Sequence, residues 1–311
     1  MLVTGAAGFA GSHLIDLLSR DRAAPPIVAW RRPGPLPNGE TRSVRWEALD
    51  MLDRRAVSEG IARLRPAVVF HCAGAAHVHR ASSNTEAALA SNVRGTQFLL
   101  EALAEHAVAA RVLVPSSAMV YRPSATPLRE DDPLVPPNTY GVTKLAQEML
   151  ATRAGDGVGV CIARAFNHVG PRQAPSFVVS DFARQIARIE SGRAPAEIVV
   201  GNLDARRELT DVRDTVRAYR IIVERGSPRR PYNVASGQAI TIGDLLDRLL
   251  SRARVPIRVR RDPERLRPND VPVLVGDPAR IRAELQWTPE IPLDRTLDDV
   301  LEYWRSTESQ Q

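Results

Sequence analysis

Lysine is almost missing from this chain. Of its 42 Lys and Arg residues, 41 are Arg, and the single Lys is Lys144. A composition so biased uses Arg wherever a positive charge will do, so the one retained ammonium marks a place that a guanidinium does not serve. Cysteine is nearly as scarce, with only Cys72 and Cys161. Each falls in a segment that reads as a buried strand. Both are expected to be reduced core residues, which excludes a disulfide framework and a cysteine metal site. The six His show no metal-ligand spacing. Aromatics are 5% of the chain, the arginines are dispersed, and no nucleic-acid-binding motif is present. No apolar run approaches membrane-spanning length. No secretory leader is visible, because residue 4 already belongs to a glycine motif. These absences predict a cytoplasmic protein without a metal, a membrane or a nucleic-acid partner. The net charge of +6 and pI near 10 fit an anionic diphosphate substrate as well as they fit nucleic acid.

What is present is concentrated at the start. Met1 to Thr4 reads as a short apolar strand, followed by Gly5, Gly8 and Gly11 and then by the helical pattern Leu14, Ile15, Leu17, Leu18. Gly5 permits a tight turn, Gly8 lets backbone approach a diphosphate, and Gly11 lets helix and strand pack closely, with the helix N-terminus facing the anion. Only three residues precede Thr4, so either the native start lies upstream of Met1 or the strand is short. The second strand, Pro26 to Trp30, should end near the adenosine ribose. Acidic residues there suit NAD and Arg suits NADP, so Arg31 and Arg32 favour NADP(H), with NAD(H) as the alternative. Asp50, after a third strand at Val44 to Ala48, is placed to accept the adenine amino group.

The pattern then alternates. A strand at Val68 to Cys72 is succeeded by a long helix from about Asn84 to Ala107 and a strand at Arg111 to Ser116. A helix around Tyr140 and a strand at Val158 to Arg164 come next. Such alternation predicts an α/β fold with a parallel sheet covered by helices on both faces. The proline-rich stretch from Pro123 to Pro137 reads as a loop. Shorter strands, Glu197 to Gly201 and Pro231 to Ala235, lie between helices beyond it. The expected organisation is a Rossmann doubly wound parallel sheet over 1–165, with a returning segment near 205–236, and a smaller C-terminal α/β substrate-binding domain over 166–311. With 311 residues and 44% hydrophobic content, one or two domains can bury a substantial core.

Lys144 sits four residues after Tyr140 in Tyr140-Gly141-Val142-Thr143-Lys144. Residues four apart share a helix face. The hydroxyl and the ammonium can therefore enter one pocket, where a cation would lower the Tyr pKa towards the working pH.

These motifs resemble the extended short-chain dehydrogenase/reductases that act on nucleotide sugars. The likeness runs through nearly the whole chain: Thr4 to Gly11, Asn92-Val93-Arg94-Gly95-Thr96, Ser116 to Tyr121, and Tyr140 to Lys144. Ala165 to Pro171, Gly201 to Asp204, Arg207, Thr210 to Asp214 and Leu266 to Pro272 narrow it to the GDP-mannose dehydratase and GDP-4-keto-6-deoxymannose reductase branch, the reductases being the closer. Arg122 departs from the Gly usual there and concerns only local loop geometry. The resemblance implies Ser117, Tyr140 and Lys144 as a catalytic triad. It implies a cofactor site drawn from Gly5, Ala7, Gly8, Phe9, Ala10, Gly11, Arg31, Arg32, Asp50, Met51, Cys72, Ala73, Gly74, Asn92, Ser116, Tyr140, Lys144, Ala165, Asn167 and His168. The implied substrate site comprises Ala75, His77, Ser117, Met119, Asn167, Phe177, Val178, Asn202, Arg207, Arg267 and Asp270. Of these, Arg207 would meet the diphosphate and Arg267 with Asp270 the nucleotide end.

Position 119 separates the chemistries. The resembling dehydratases carry a Glu two residues after the catalytic Ser or Thr, to move protons at C5 and C6. Met119 stands there, and a thioether neither takes nor gives a proton. The expectation is NADPH-dependent reduction of the C4 ketone of a GDP-4-keto-6-deoxy-hexose, giving a rhamnose-like or talose-like product. The alternatives are a nucleotide-sugar 4-epimerase and a dTDP-4-keto-6-deoxyhexose reductase. Val93, Leu100, Leu103 and Ala107 form one apolar helical stripe, and Leu145, Ala146 and Met149 extend another; the resemblance implies that these two helices pair with their copies as a four-helix bundle, so a homodimer or tetramer is expected.

Overall fold

The computed structural model describes residues 1–21, 25–34, 44–76, 78–106, 108–155, 157–265 and 271–309, and only the backbone of 78–80. The first six strands are β1 (Leu2–Thr4), β2 (Ile27–Arg31), β3 (Val44–Ala48), β4 (Val68–His71), β5 (Ala110–Ser117) and β6 (Val158–Ala165). Then come β7 (His168–Val169), β8 (Glu197–Val200), β9 (Arg206–Glu208), β10 (Thr210–Asp211), β11 (Pro231–Val234), β12 (Ala239–Thr241), β13 (Arg258–Arg261) and β14 (Val273–Leu274). Seven of them form one sheet in the order β3-β2-β1-β4-β5-β6-β11. Every neighbouring pair is parallel. This is the doubly wound Rossmann sheet expected, and the strand order reverses between β1 and β4.

Period-two alternation explains why both faces need helices. Leu2 packs with Trp30, Ile61, Leu99, Val112 and Val160 on one face. Its neighbour Val3 packs with Leu14, Leu18, Leu113, Tyr219 and Ile222 on the other. The Phe9–Ser19 helix and the Val212–Arg225 helix pack together on that second face. Ile281, Leu285 and Trp287, from far along the chain, join the same cluster, so the large sheet draws on residues well past 236. A separate core forms around Phe182, Ile186, Ile198, Leu245, Leu249, Leu301 and Trp304. The small sheets β12-β9-β14, β13-β8 and β10-β7 accompany it.

Three expectations need correction. The long helix from Asn84 is not one regular helix. It runs Thr85–Leu89, then a π-helical turn Ala90–Arg94, then Gly95–Glu105, after a further helix Val78–Ser83; Ala107 lies outside the described residues. The wider π turn shifts the phase of the Gly95–Glu105 helix, so Val93 and Leu100 do not continue one stripe. Leu100 and Leu103 are 7% and 0% exposed and belong to the chain's own core. Third, Cys72 lies just past β4 and is half-buried, whereas Cys161 is buried within β6. Among the described residues no helix is long and apolar enough to cross a membrane.

Candidate active site

The glycine turn, Ser117, Tyr140 and Lys144 lie at the C-terminal edge of the large sheet, beside the point where the strand order reverses. Gly5 follows β1 with φ +64°, and a Cβ there would lie 2.5 Å from the Ala73 nitrogen. A Cβ on Gly11 would lie 2.3 Å from the Gly5 carbonyl oxygen. Gly8 caps the Phe9–Ser19 helix without any side-chain hydrogen bond, so the first-turn amides face outward without helical acceptors. Backbone amides at an uncapped helix start, beside a turn that admits no side chain, fit a dinucleotide diphosphate.

Ser117 ends β5. Tyr140 and Lys144 lie on the Thr139–Ala151 helix, which Asn138 starts by accepting the Gly141 N–H at 2.9 Å. Gly141 is required by contact: a Cβ would lie 2.1 Å from the Met119 carbonyl oxygen. The helix thereby presses onto the 118–120 turn and brings Tyr140 to the Ser117 hydroxyl, its hydrogen-bond partner. Ser117 and Lys144 are 8% and 7% exposed. Burial lowers Lys144 to about 8, against the opposing influence of Cys72 and Glu148. Burial also raises the Tyr140 phenol, and the Ser117 hydrogen bond only partly offsets it. The expected lowering of Tyr140 by Lys144 is therefore not what this arrangement produces. The ammonium donates to the Gln147 side-chain oxygen instead. Burial pushes the Cys72 thiol up to about 12.

The helix carrying Tyr140 and Lys144 turns polar residues inward. Thr143, Lys144, Gln147 and Glu148 are all buried, while Val142 and Met149 are 51% and 54% exposed. Asn92, from the π turn, is 0% exposed. It accepts the Ala75 N–H at 2.8 Å and donates to Thr143 Oγ1 at 2.8 Å. Both ends of its amide are engaged, so it braces the site from beneath. Ser116 does likewise, donating to Glu148 at 2.8 Å. Glu148 pairs with buried Arg164, which donates to Tyr121 Oη at 2.9 Å and to the Glu130 carbonyl at 2.8 Å. Gln147, Glu148 and Tyr121 are not candidates on sequence grounds. The four-residue spacings Thr143–Gln147 and Lys144–Glu148 are the signal that could have found the first two.

His168 stacks on Phe9 with centroids 5.8 Å apart and an interplanar angle of 2°. Burial keeps its pKa below the ordinary value, against a hydrogen bond to the Phe166 carbonyl. This joins it to the glycine turn. Ala165 ends β6 opposite Ser117. Asn167 follows, and its carbonyl accepts the Thr210 N–H at 3.0 Å. Arg31 ends β2 and turns back, donating to the carbonyls of Arg32 and Gly34, while Arg32 is exposed. Asp50 accepts the Leu52 N–H at 3.0 Å, and Met51 lies against Gly95. On the other side, Phe177 caps the Val178–Glu190 helix, Asn202 is exposed, and Arg207 is half-buried in β9. Beside it, the fully buried Glu208 carboxylate accepts backbone N–H groups of Ser236 and Gly276 at 2.6 and 2.5 Å. Burial nonetheless pushes it up to about 7. His77, Arg267 and Asp270 lie outside the described residues.

The family described as GDP-mannose 4,6 dehydratase matches residues 2–300. The chain belongs to that family. With it the chain joins the extended short-chain dehydrogenase/reductases of nucleotide sugars. It is 33% identical to a GDP-6-deoxy-D-mannose reductase of Pseudomonas aeruginosa, over 98% of this chain and 97% of that one. The solved structure of RMD from Pseudomonas aeruginosa complexed with NADPH superposes with a TM-score of 0.85 at 33% identity, covering 98% of this chain and 99% of that one. MoeE5 in complex with UDP-glucose and NAD superposes with a TM-score of 0.86 at 30% identity, covering 100% and 99%.

Proposed function

We propose that this protein reduces the C4 ketone of a GDP-4-keto-6-deoxy-hexose with NADPH. The observation that carries the reading is Met119. Its backbone N–H donates to Ser117 Oγ at 3.1 Å, and Asn138 donates to its sulfur at 3.6 Å. The residue is therefore held beside Ser117 and the start of the Tyr140 helix, where a second acid/base would have to stand, and it has no proton to exchange. His168 is drawn instead to Phe9. The likeness to a GDP-6-deoxy-D-mannose reductase supports the same branch.

Gly5, Gly8, Phe9, Ala10 and Gly11 would hold the dinucleotide diphosphate, and Arg32, just past the end of β2, would meet a 2′-phosphate. A reduced nicotinamide supplies the hydride when bound. Ser117 orients the C4 oxygen. Tyr140, a phenol held protonated by burial, gives its proton to the alkoxide that develops there. Lys144 contributes a buried positive charge within the same site. Arg207 would take the substrate diphosphate.

The inverted Thr139–Ala151 helix supports a homodimer. Val142, Leu145, Ala146 and Met149 make an outward stripe at i, i+3, i+4 and i+7, and Leu89, 39% exposed, sits on a helix packed beside it. A second copy would cover this stripe by a four-helix arrangement.

The decisive experiment is mass spectrometry of the sugar nucleotide formed with NADPH. The enzyme should consume NADPH with a GDP-4-keto-6-deoxy sugar and leave GDP-mannose unchanged with NADP⁺. Tyr140→Phe should cost at least about 10²-fold in turnover. Solvent deuterium at C5 or C6 would overturn simple reduction. Interconversion of C4 epimers without net cofactor consumption would favour the epimerase instead.

A further inference from the structure

We propose that Gln147 is a positioning residue of this site: its amide oxygen holds the Lys144 ammonium, and a buried hydrogen-bond chain reaching back to β1 holds the amide. The inference rests on the reductase reading above only for the role of Lys144 in turnover.

The chain is continuous and its direction is determined. Thr96 donates its hydroxyl hydrogen to the Asn92 carbonyl at 2.7 Å. Its oxygen then accepts Gln147 Nε2–H at 2.8 Å and His71 Nε2–H at 2.9 Å. His71 Nδ1 is left as an acceptor and receives the Thr4 hydroxyl at 2.8 Å. Thr4 in turn accepts the Ala73 N–H at 3.2 Å. Thr4, His71, Thr96 and Gln147 are 0%, 1%, 0% and 1% exposed, so none exchanges these partners for water.

The amide cannot turn over without loss. An ammonium only donates, so the atom facing Lys144 must be oxygen. The hydroxyl oxygen of Thr96 then needs the Gln147 NH₂. His71 is neutral, since burial, with a smaller contribution from the nearby Lys144 ammonium, lowers its pKa to about 3. The chain is therefore a fixed scaffold with no route for a proton, because the Thr96 hydrogen is committed to backbone. It ties the end of β1, the exit of β4, the π turn and the catalytic helix to one point, the Lys144 nitrogen.

The titratable groups facing Lys144 are Cys72 and His71 from β4 and its exit, and Glu148 from its own helix. Cys72 is a neutral thiol and His71 a neutral imidazole. Glu148 is engaged by Arg164 and Ser116. That leaves the Gln147 amide as the described acceptor of the ammonium.

The lone lysine makes the test direct. Protein labelled with ¹³C at lysine Cε gives one side-chain resonance, whose titration reads Lys144 without substrate or cofactor. The wild-type midpoint should lie near 8. Gln147→Met should lower it by about one to two pH units, the worth of one hydrogen bond to a charged group. Gln147→Glu, nearly isosteric, should raise it, and serves if the Met variant does not fold. The alkaline limb of kcat/KM should move in step with the resonance. Midpoints unchanged in both variants would overturn the proposal. A midpoint that moves in the variants while the wild-type enzyme reduces no 4-keto sugar nucleotide would uphold the hold on Lys144 and overturn the reductase reading instead.

Discussion

Removing Glu148 should destabilise this protein far more than a single carboxylate normally does. The side chains of Arg164 and Glu148 are only 4% and 8% exposed. Glu148→Ala would leave Arg164 with Tyr121 Oη and the Glu130 carbonyl, but with no counter-charge. Ser116 would lose its acceptor as well. Breaking one side of a buried ion pair typically costs about 3–5 kcal/mol, a large share of the roughly 5–15 kcal/mol by which folded proteins are stable. The cost comes from the orphaned charge rather than from the worth of the pair. The double variant Glu148→Leu/Arg164→Met, which removes both charges, should therefore be less damaging than the single by at least about 1 kcal/mol. Urea unfolding at fixed protein concentration measures both, with the shift in midpoint at constant m giving the difference. A single variant that loses under about 1 kcal/mol would refute the reasoning, as would a double variant no better than the single.

Four further outcomes are expected. Turnover should fall as pH rises through about 8, because the proposed reduction would use the Lys144 ammonium, whose burial lowers its pKa to that value; the raised Tyr140 phenol titrates higher. By the same shift, native stability should increase as pH rises from about 8 to the ordinary lysine value of 10.5, which a pH series of urea midpoints checks. Replacing Arg31 and Arg32 with neutral residues should raise KM for NADPH selectively, with Arg32 dominating since Arg31 is held by loop carbonyls; equal effects on NADH would make them surface arginines. Val142→Asp with Met149→Asp should convert a dimer to monomer by light scattering, because the two exposed side chains lie on one helical stripe.

Much of this molecule is legible in its sequence. Gly5, Gly8 and Gly11 at the exit of β1 have one physical use in that context, and alternating strands and helices admit few sheets but a parallel one. The single Lys four residues after Tyr140 marks the candidate reactive helix, because scarcity argues against chance. Met119 is readable as the absence of an acid.

What only the tertiary structure decided is where partners come from. The π turn at Ala90–Arg94 took Leu100 and Leu103 out of the expected assembly stripe and into the core, a phase change that hydrophobic spacing does not announce. The neighbours of Lys144 likewise come from Gln147, and through it from Thr96, His71 and Thr4, on four elements spread over 143 residues of chain. Local sequence dictates which face of a helix is polar. It does not dictate that the polar face of Thr139–Ala151 turns inward, because that depends on which buried donors and acceptors the sheet brings opposite it. The pKa of Tyr140 illustrates the same point: spacing places a cation nearby, but burial and the direction of a side chain determine which way the phenol moves.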